Sequence, residues 1–118
     1  FYYPDVMARC GARLADDARW ITDPCLLVEV TSPSTRATDR REKRRAYGAL
    51  PSLRTYLVVA HARRSVERWW RDDGGAWRFE EVAGRGEVAI ACPTALSLPL
   101  DALYAGTDVP ERRLRRLR

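Results

Sequence analysis

The sequence predicts an α/β protein, a mixed β-sheet with flanking helices and a C-terminal β-hairpin. Three observations carry that expectation. Two short, strongly apolar runs, CLLVEV at 25–30 and LRTYLVVA at 53–60, have the length and β-branched content of strands buried on both faces. Between them lies a charged segment from about Thr38 to Leu50 that reads as a helix and is stopped by Pro51. After them, Asp73-Gly74-Gly75 is a hairpin signal, set between the strand-like stretches RRSVERWW and WRFEEV.

Taken in chain order, FYYPDVMARC reads as a strand already under way, and GARLADDARWITDP as a polar, turn-rich connection. CLLVEV is the candidate central strand. SPST follows as a loop whose hydroxyls can cap the next helix. LRTYLVVA and residues 63–70 pair through a turn near His61 and Ala62. GEVAIAC is a further short strand, and PLDALYAG a short terminal helix or turn. Helix and strands in this order imply a sheet with helical cover.

A chain of 118 residues fits a single domain, expected over residues 1–109, followed by a basic tail at 110–118. Of the net charge of +5, most comes from the tail, which holds five arginines and one glutamate, so the body is nearly neutral. The bulk charge is therefore weak evidence for nucleic acid. No apolar run approaches the ~20 residues that span a bilayer, and no basic-then-apolar leader opens the chain, so a cytoplasmic location without membrane contact is expected. Cys10, Cys25 and Cys92 are odd in number, far apart and free of CxxC spacing. That pattern argues against a disulfide framework or zinc site, and for buried free thiols.

Three charged residues do not fit a plain core. Glu29 interrupts the most apolar strand, where an isolated carboxylate must be paired, protonated or bound to a cation. Asp5 sits in a second apolar, strand-like segment. Two acids from adjacent strands could share a divalent cation, since hard cations favour carboxylate oxygens; pairing with arginines is the other reading. Lys43 is the only lysine among 21 basic residues. At helical spacing it shares a stripe with Tyr47 and Leu50, facing the sheet. Its ammonium could join the acids, or simply reach solvent on its long stem.

Pro4-Asp5, VEVTSPST, TDRREKRRAY, LRTYLVV, SVERWWRDDGGAWRFEEV and LSLPLDALY together resemble the Uma family of restriction endonucleases, in the PD-(D/E)xK nuclease superfamily. The resemblance covers most of the chain. It implies a restriction endonuclease-like fold and metal-dependent hydrolysis of DNA phosphodiester bonds, without an organic cofactor. It also implies that Asp5 and Glu29 bind Mg2+ (or Mn2+) and that Lys43 completes the catalytic set. The superfamily's lysine usually stands two residues after the second acid, where this chain has Thr31; Lys43 matches a position migrated to the helix. Family members carry a helix and strands before the PD strand. The chain is expected to lack them, and a homodimer is one arrangement that could replace them. The alternative function is a catalytically silent nucleic-acid-binding or protein-interaction module on the same fold.

Arg36, Arg40 and Arg44 share a helical face or its approach and are candidates for phosphate contact, against a solvated charged face. Ser32, Ser34 and Thr35 have no histidine near them in sequence, so capping and loop hydrogen bonding explain them better than a hydrolase nucleophile. His61 falls in a turn. Trp69 and Trp70, adjacent on a strand, must face opposite sides, one toward the core and one available to stack.

Overall fold

The computed structural model describes residues 4–10, 23–32 and 37–109, with backbone alone for 37–39. The elements are β1 (Val6–Ala8), β2 (Leu26–Val30), α1 (Ala37–Gly48), β3 (Thr55–Val59), β4 (Ser65–Arg71), β5 (Trp77–Ala83), β6 (Glu87–Ile90), β7 (Leu96–Pro99) and α2 (Leu100–Leu103). Strands β1 to β5 form one sheet in sequence order, and β6 pairs with β7 in a second. Only β2 and β3 run parallel; the other neighbours are antiparallel. A parallel pair needs a crossover, and α1 supplies it. Residues 11–22 of the expected connection (11–24), residues 33–35 of the capping loop (32–35) and the tail at 110–118 lie outside the described residues.

Strand burial follows position in the sheet. β3 is central and buried at all five positions, as its uninterrupted TYLVV requires. β5 is an edge and largely exposed. β1 is the other edge, with Val6 and Met7 exposed. An apolar, strand-like segment of this kind predicts a buried strand. The difference arises because, among the described residues, β1 pairs on one side only, with β2.

Alternation along the strands separates two cores. On one face, Leu27, Tyr56 and Val58 pack with Tyr47 of α1 and with Leu53. On the other, Leu26, Leu57, Val59 and Val66 pack against Val88, Ile90, Leu100 and Tyr104. The result is three layers: α1, the large sheet, and β6–β7 with α2. β7 has no counterpart among the strands expected from sequence. Its LSLP is exposed at three of four positions, which leaves little apolar alternation to read.

Two local devices hold α1 and the hairpin. In the turn after β4, Gly75 takes a φ of 83°, open to glycine at little cost. Asp72 Oδ1 accepts from the Gly74 and Ala76 amides at 3.0 Å each. The C-terminal carbonyls of a helix lack internal partners. Here Arg71 of β4 donates to the carbonyls of Gly48 at 3.0 Å, Leu50 at 3.1 Å and Leu53 at 2.9 Å. Trp77 Nε1 adds a bond to the Gly48 carbonyl at 3.3 Å. Arg71→Ala should therefore lower the unfolding free energy by about 1.5–3 kcal/mol. Arg71→Lys should recover less than half, because one ammonium cannot span three carbonyls. Urea titrations of the three proteins check this.

Candidate active site

Glu29 lies near the carboxyl end of β2, on the same face as Leu27, and is only 8% exposed. A carboxylate so placed needs strong partners. Tyr56 of β3 donates its hydroxyl to Oε2 at 2.9 Å, and Tyr47 of α1 donates to Oε1 at 3.2 Å. Lys43 brings its ammonium to 3.3 Å from Oε1. The two phenol rings meet edge to face, with centroids 5.3 Å apart. The i, i+4 spacing of Lys43 and Tyr47 delivers both groups to one carboxylate. The Lys43 side chain keeps 27% of its surface exposed, so its ammonium borders solvent.

Asp5, one residue before β1, is exposed and accepts a 2.7 Å bond at Oδ2 from the Val30 amide. The structure thus brings Asp5 to the strand end that carries Glu29. Thr31, two residues beyond Glu29, joins a different contact: its hydroxyl lies 2.8 Å from His61 Nδ1 and accepts from the His61 amide at 3.0 Å. These bonds tie the ends of β2 and β3 together.

Arg40 and Arg44 are exposed on α1. Arg44 stacks over the Trp69 ring at 4.7 Å, and Trp69 in turn lies 4.5 Å from Phe79. A cleft of about 190 Å³ is lined by Arg40, Arg41, Arg44, Tyr56, Glu67 and Trp69, which sets arginines beside the Glu29 cluster. Arg36 lies outside the described residues. Trp70 faces the opposite side, beneath the Arg68 guanidinium at 3.9 Å.

Two participants escaped the sequence reading. Tyr56 was detectable as a hydroxyl inside an otherwise aliphatic buried run, since a buried phenol seeks a partner. Glu67 pairs in register with Val58, which pairs with Glu29. It therefore stands level with Glu29 two strands away, about 10 Å at ordinary strand spacing. Alternation in SVERWW could have placed it on the helix face.

The cysteines overturn the expectation of unconnected thiols. Cys10, Cys25 and Cys92 converge within 4.8 Å of one another, with Cys25 and Cys92 joined as a disulfide and Cys10 a free thiol. Sequence separation concealed a meeting that the antiparallel β1–β2 pair and the second sheet bring about.

A mixed five-stranded sheet with a helical crossover over an acid–lysine cluster defines a restriction endonuclease-like α/β protein. The chain belongs to the Uma2 family, described as "Putative restriction endonuclease", whose pattern matches residues 1–102. It is 35% identical over 103 residues to the uncharacterized protein slr1290 of Synechocystis sp., covering 87% of this chain and 54% of that protein. It is 29% identical over 86 residues to the uncharacterized protein sll1609 of the same organism, covering 71% and 49%. The chain thus spans about half the length of these curated relatives. No helix among the described residues is long and apolar enough to cross a membrane.

Burial, followed by the neighbouring Glu29 charge and the hydrogen bond to it, pushes the Tyr56 hydroxyl pKa far above its ordinary 10.0. The folded chain keeps that proton where the unfolded chain loses it. Its contribution is full below the unfolded value and falls away as pH rises beyond it. Between about pH 9 and pH 11, the wild type should lose more unfolding free energy than Tyr56→Phe. Urea midpoints measured across that range provide the check.

Proposed function

We propose that this chain carries the catalytic core of a metal-dependent endonuclease that hydrolyses DNA phosphodiester bonds. The observation that supports this best is the Glu29–Lys43 ion pair, set beside Asp5 at one strand end, in a member of a restriction endonuclease family.

The donor chemistry fits a hard dication: two carboxylates from neighbouring strands, one exposed and one fixed by two phenols. Asp5 and Glu29 would hold Mg2+ or Mn2+, which when bound polarises a phosphate oxygen and lowers the pKa of a coordinated water. Tyr47 and Tyr56 keep the Glu29 carboxylate in one orientation. Lys43, bordering solvent, orients the attacking water and offsets charge growing on the phosphate as water adds at phosphorus and the P–O bond breaks. Arginine would serve this less well, its charge being spread over a planar fork that is effectively never deprotonated. Arg40 and Arg44, which line the cleft, would meet backbone phosphates flanking the cleaved bond, with Arg36 as a further candidate.

Cleavage of plasmid and oligonucleotide DNA with magnesium tests this. Asp5→Ala, Glu29→Gln and Lys43→Ala should each slow cleavage by roughly 100-fold or more, the scale of losing one transition-state contact. Lys43→Arg should remain impaired. Arg40→Ala and Arg44→Ala should weaken DNA binding and flatten its salt dependence by about 0.7–0.9 in log–log slope each. Metal-dependent cleavage indifferent to the three core substitutions would sink the site. DNA binding without cleavage would favour the silent binding module instead.

A further inference from the structure

The three cysteines converge at the far end of β2 from Glu29. Cys25 precedes β2 by one residue, and its four-residue separation from Glu29 is about 13 Å along a strand. Its side chain belongs to the core on the opposite face of the sheet. Cys10 follows β1 by two residues, and Cys92 follows β6 by two. Three separate elements therefore deliver one sulfur each.

Backbone and ion-pair contacts fix the meeting point. The Cys25 amide donates to the Ala8 carbonyl at 2.8 Å, and the Cys25 carbonyl accepts from the Arg54 and Thr55 amides at 2.9 and 3.1 Å. Arg9 and Asp23, the residues beside Cys10 and near Cys25, form a two-pronged ion pair with both contacts at 2.9 Å. Such paired geometry adds orientation as well as attraction. The Cys10 sulfur then lies 3.0 Å from each of the other two.

A disulfide uses two sulfurs; this arrangement gathers three, with the third equally close to both partners. We propose that Cys10, Cys25 and Cys92, once reduced, form a three-thiolate site for a borderline-soft dication, zinc foremost. Reduction by a thiol or phosphine converts the Cys25–Cys92 disulfide to two thiols, the reductant being oxidised. Binding then displaces the three thiol protons to solvent as the sulfurs bind as thiolates. Zinc–sulfur bonds of about 2.3 Å around a tetrahedral ion set sulfurs about 3.8 Å apart, so a modest outward turn of the side chains opens the triangle. Cys10 is exposed, which leaves a fourth position to water or an external ligand. The ion would clamp the end of β1, the start of β2 and the segment after β6, joining the two sheets. Thiolate sulfur and carboxylate oxygen select different metals, so this site and the Asp5–Glu29 pair would not compete for one ion.

The test uses the full chain, reduced with a phosphine and freed of metal. Zinc is titrated against a chromophoric chelator, and cobalt(II) is substituted to look for thiolate-to-metal charge-transfer absorption. One equivalent per chain with that absorption is expected. Cys10→Ser, Cys25→Ser and Cys92→Ser should each bind at least roughly 100-fold more weakly, exceeding the usual effect of losing an outer partner. Cys10→Ser is decisive, because a Cys25–Cys92 disulfide does not need Cys10. Circular dichroism confirms folding, and Cys92→Ser replaces Cys10→Ser as the decisive variant if the latter fails to fold. No zinc binding by the reduced chain, or binding undiminished in the folded variant, overturns the proposal.

Discussion

A carboxylate buried in β2, an interior strand of the sheet, is the constraint around which this fold is arranged. Glu29 cannot be withdrawn from water alone, and its partners come from two other elements: Lys43 and Tyr47 from α1, Tyr56 from β3. Meeting them fixes the rotation of α1 about its own axis and its height over the sheet. A helix held only by apolar contacts could slide by small amounts at little cost. One anchored to a single buried charge has far fewer settings, because leaving such a charge unpaired costs several kcal/mol by order of magnitude.

The carboxyl end of α1, one residue past Tyr47, is governed by the same need for satisfied polar groups. Arg71 and Trp77, on either side of the β4–β5 turn, close off the carbonyls where the helix stops. The turn end of the hairpin thus holds α1 in place, while Glu67 and Trp69 further along β4 line the cleft beside Glu29. On the opposite face, the Tyr104 hydroxyl donates to the Ala60 carbonyl at 2.7 Å and accepts from the Ser65 amide at 3.2 Å. That contact fastens α2 to the β3–β4 turn.

Much of this was legible in the residues. The apolar runs LLVEV, broken only by its glutamate, and TYLVV announce strands inside a sheet, and a charged run between them announces the crossover helix. Glu29 stood out because physics forbids it from being idle. Lys43 stood out through its helical stripe. What could not be read depends on distant chain segments meeting. Nothing local in Tyr56 says which carboxylate it reaches, and nothing near Cys10 or Cys92 says that both arrive at Cys25. The exposure of β1 was also hidden, because an apolar sequence does not reveal whether its strand has one neighbour or two.

The stack of Arg44 on Trp69 has a kinetic and entropic side. A free arginine samples many rotamers, roughly 2 kcal/mol of freedom that vanishes when it grips an anion. Resting on an indole that itself leans on Phe79, Arg44 has surrendered part of that freedom before any ligand arrives. Its guanidinium edge remains open while its face is occupied, so it can meet an anion in the ring plane without leaving the tryptophan. Under the proposed nuclease function, an arginine held in this way would capture a phosphate with less reordering and discriminate by direction as well as by charge.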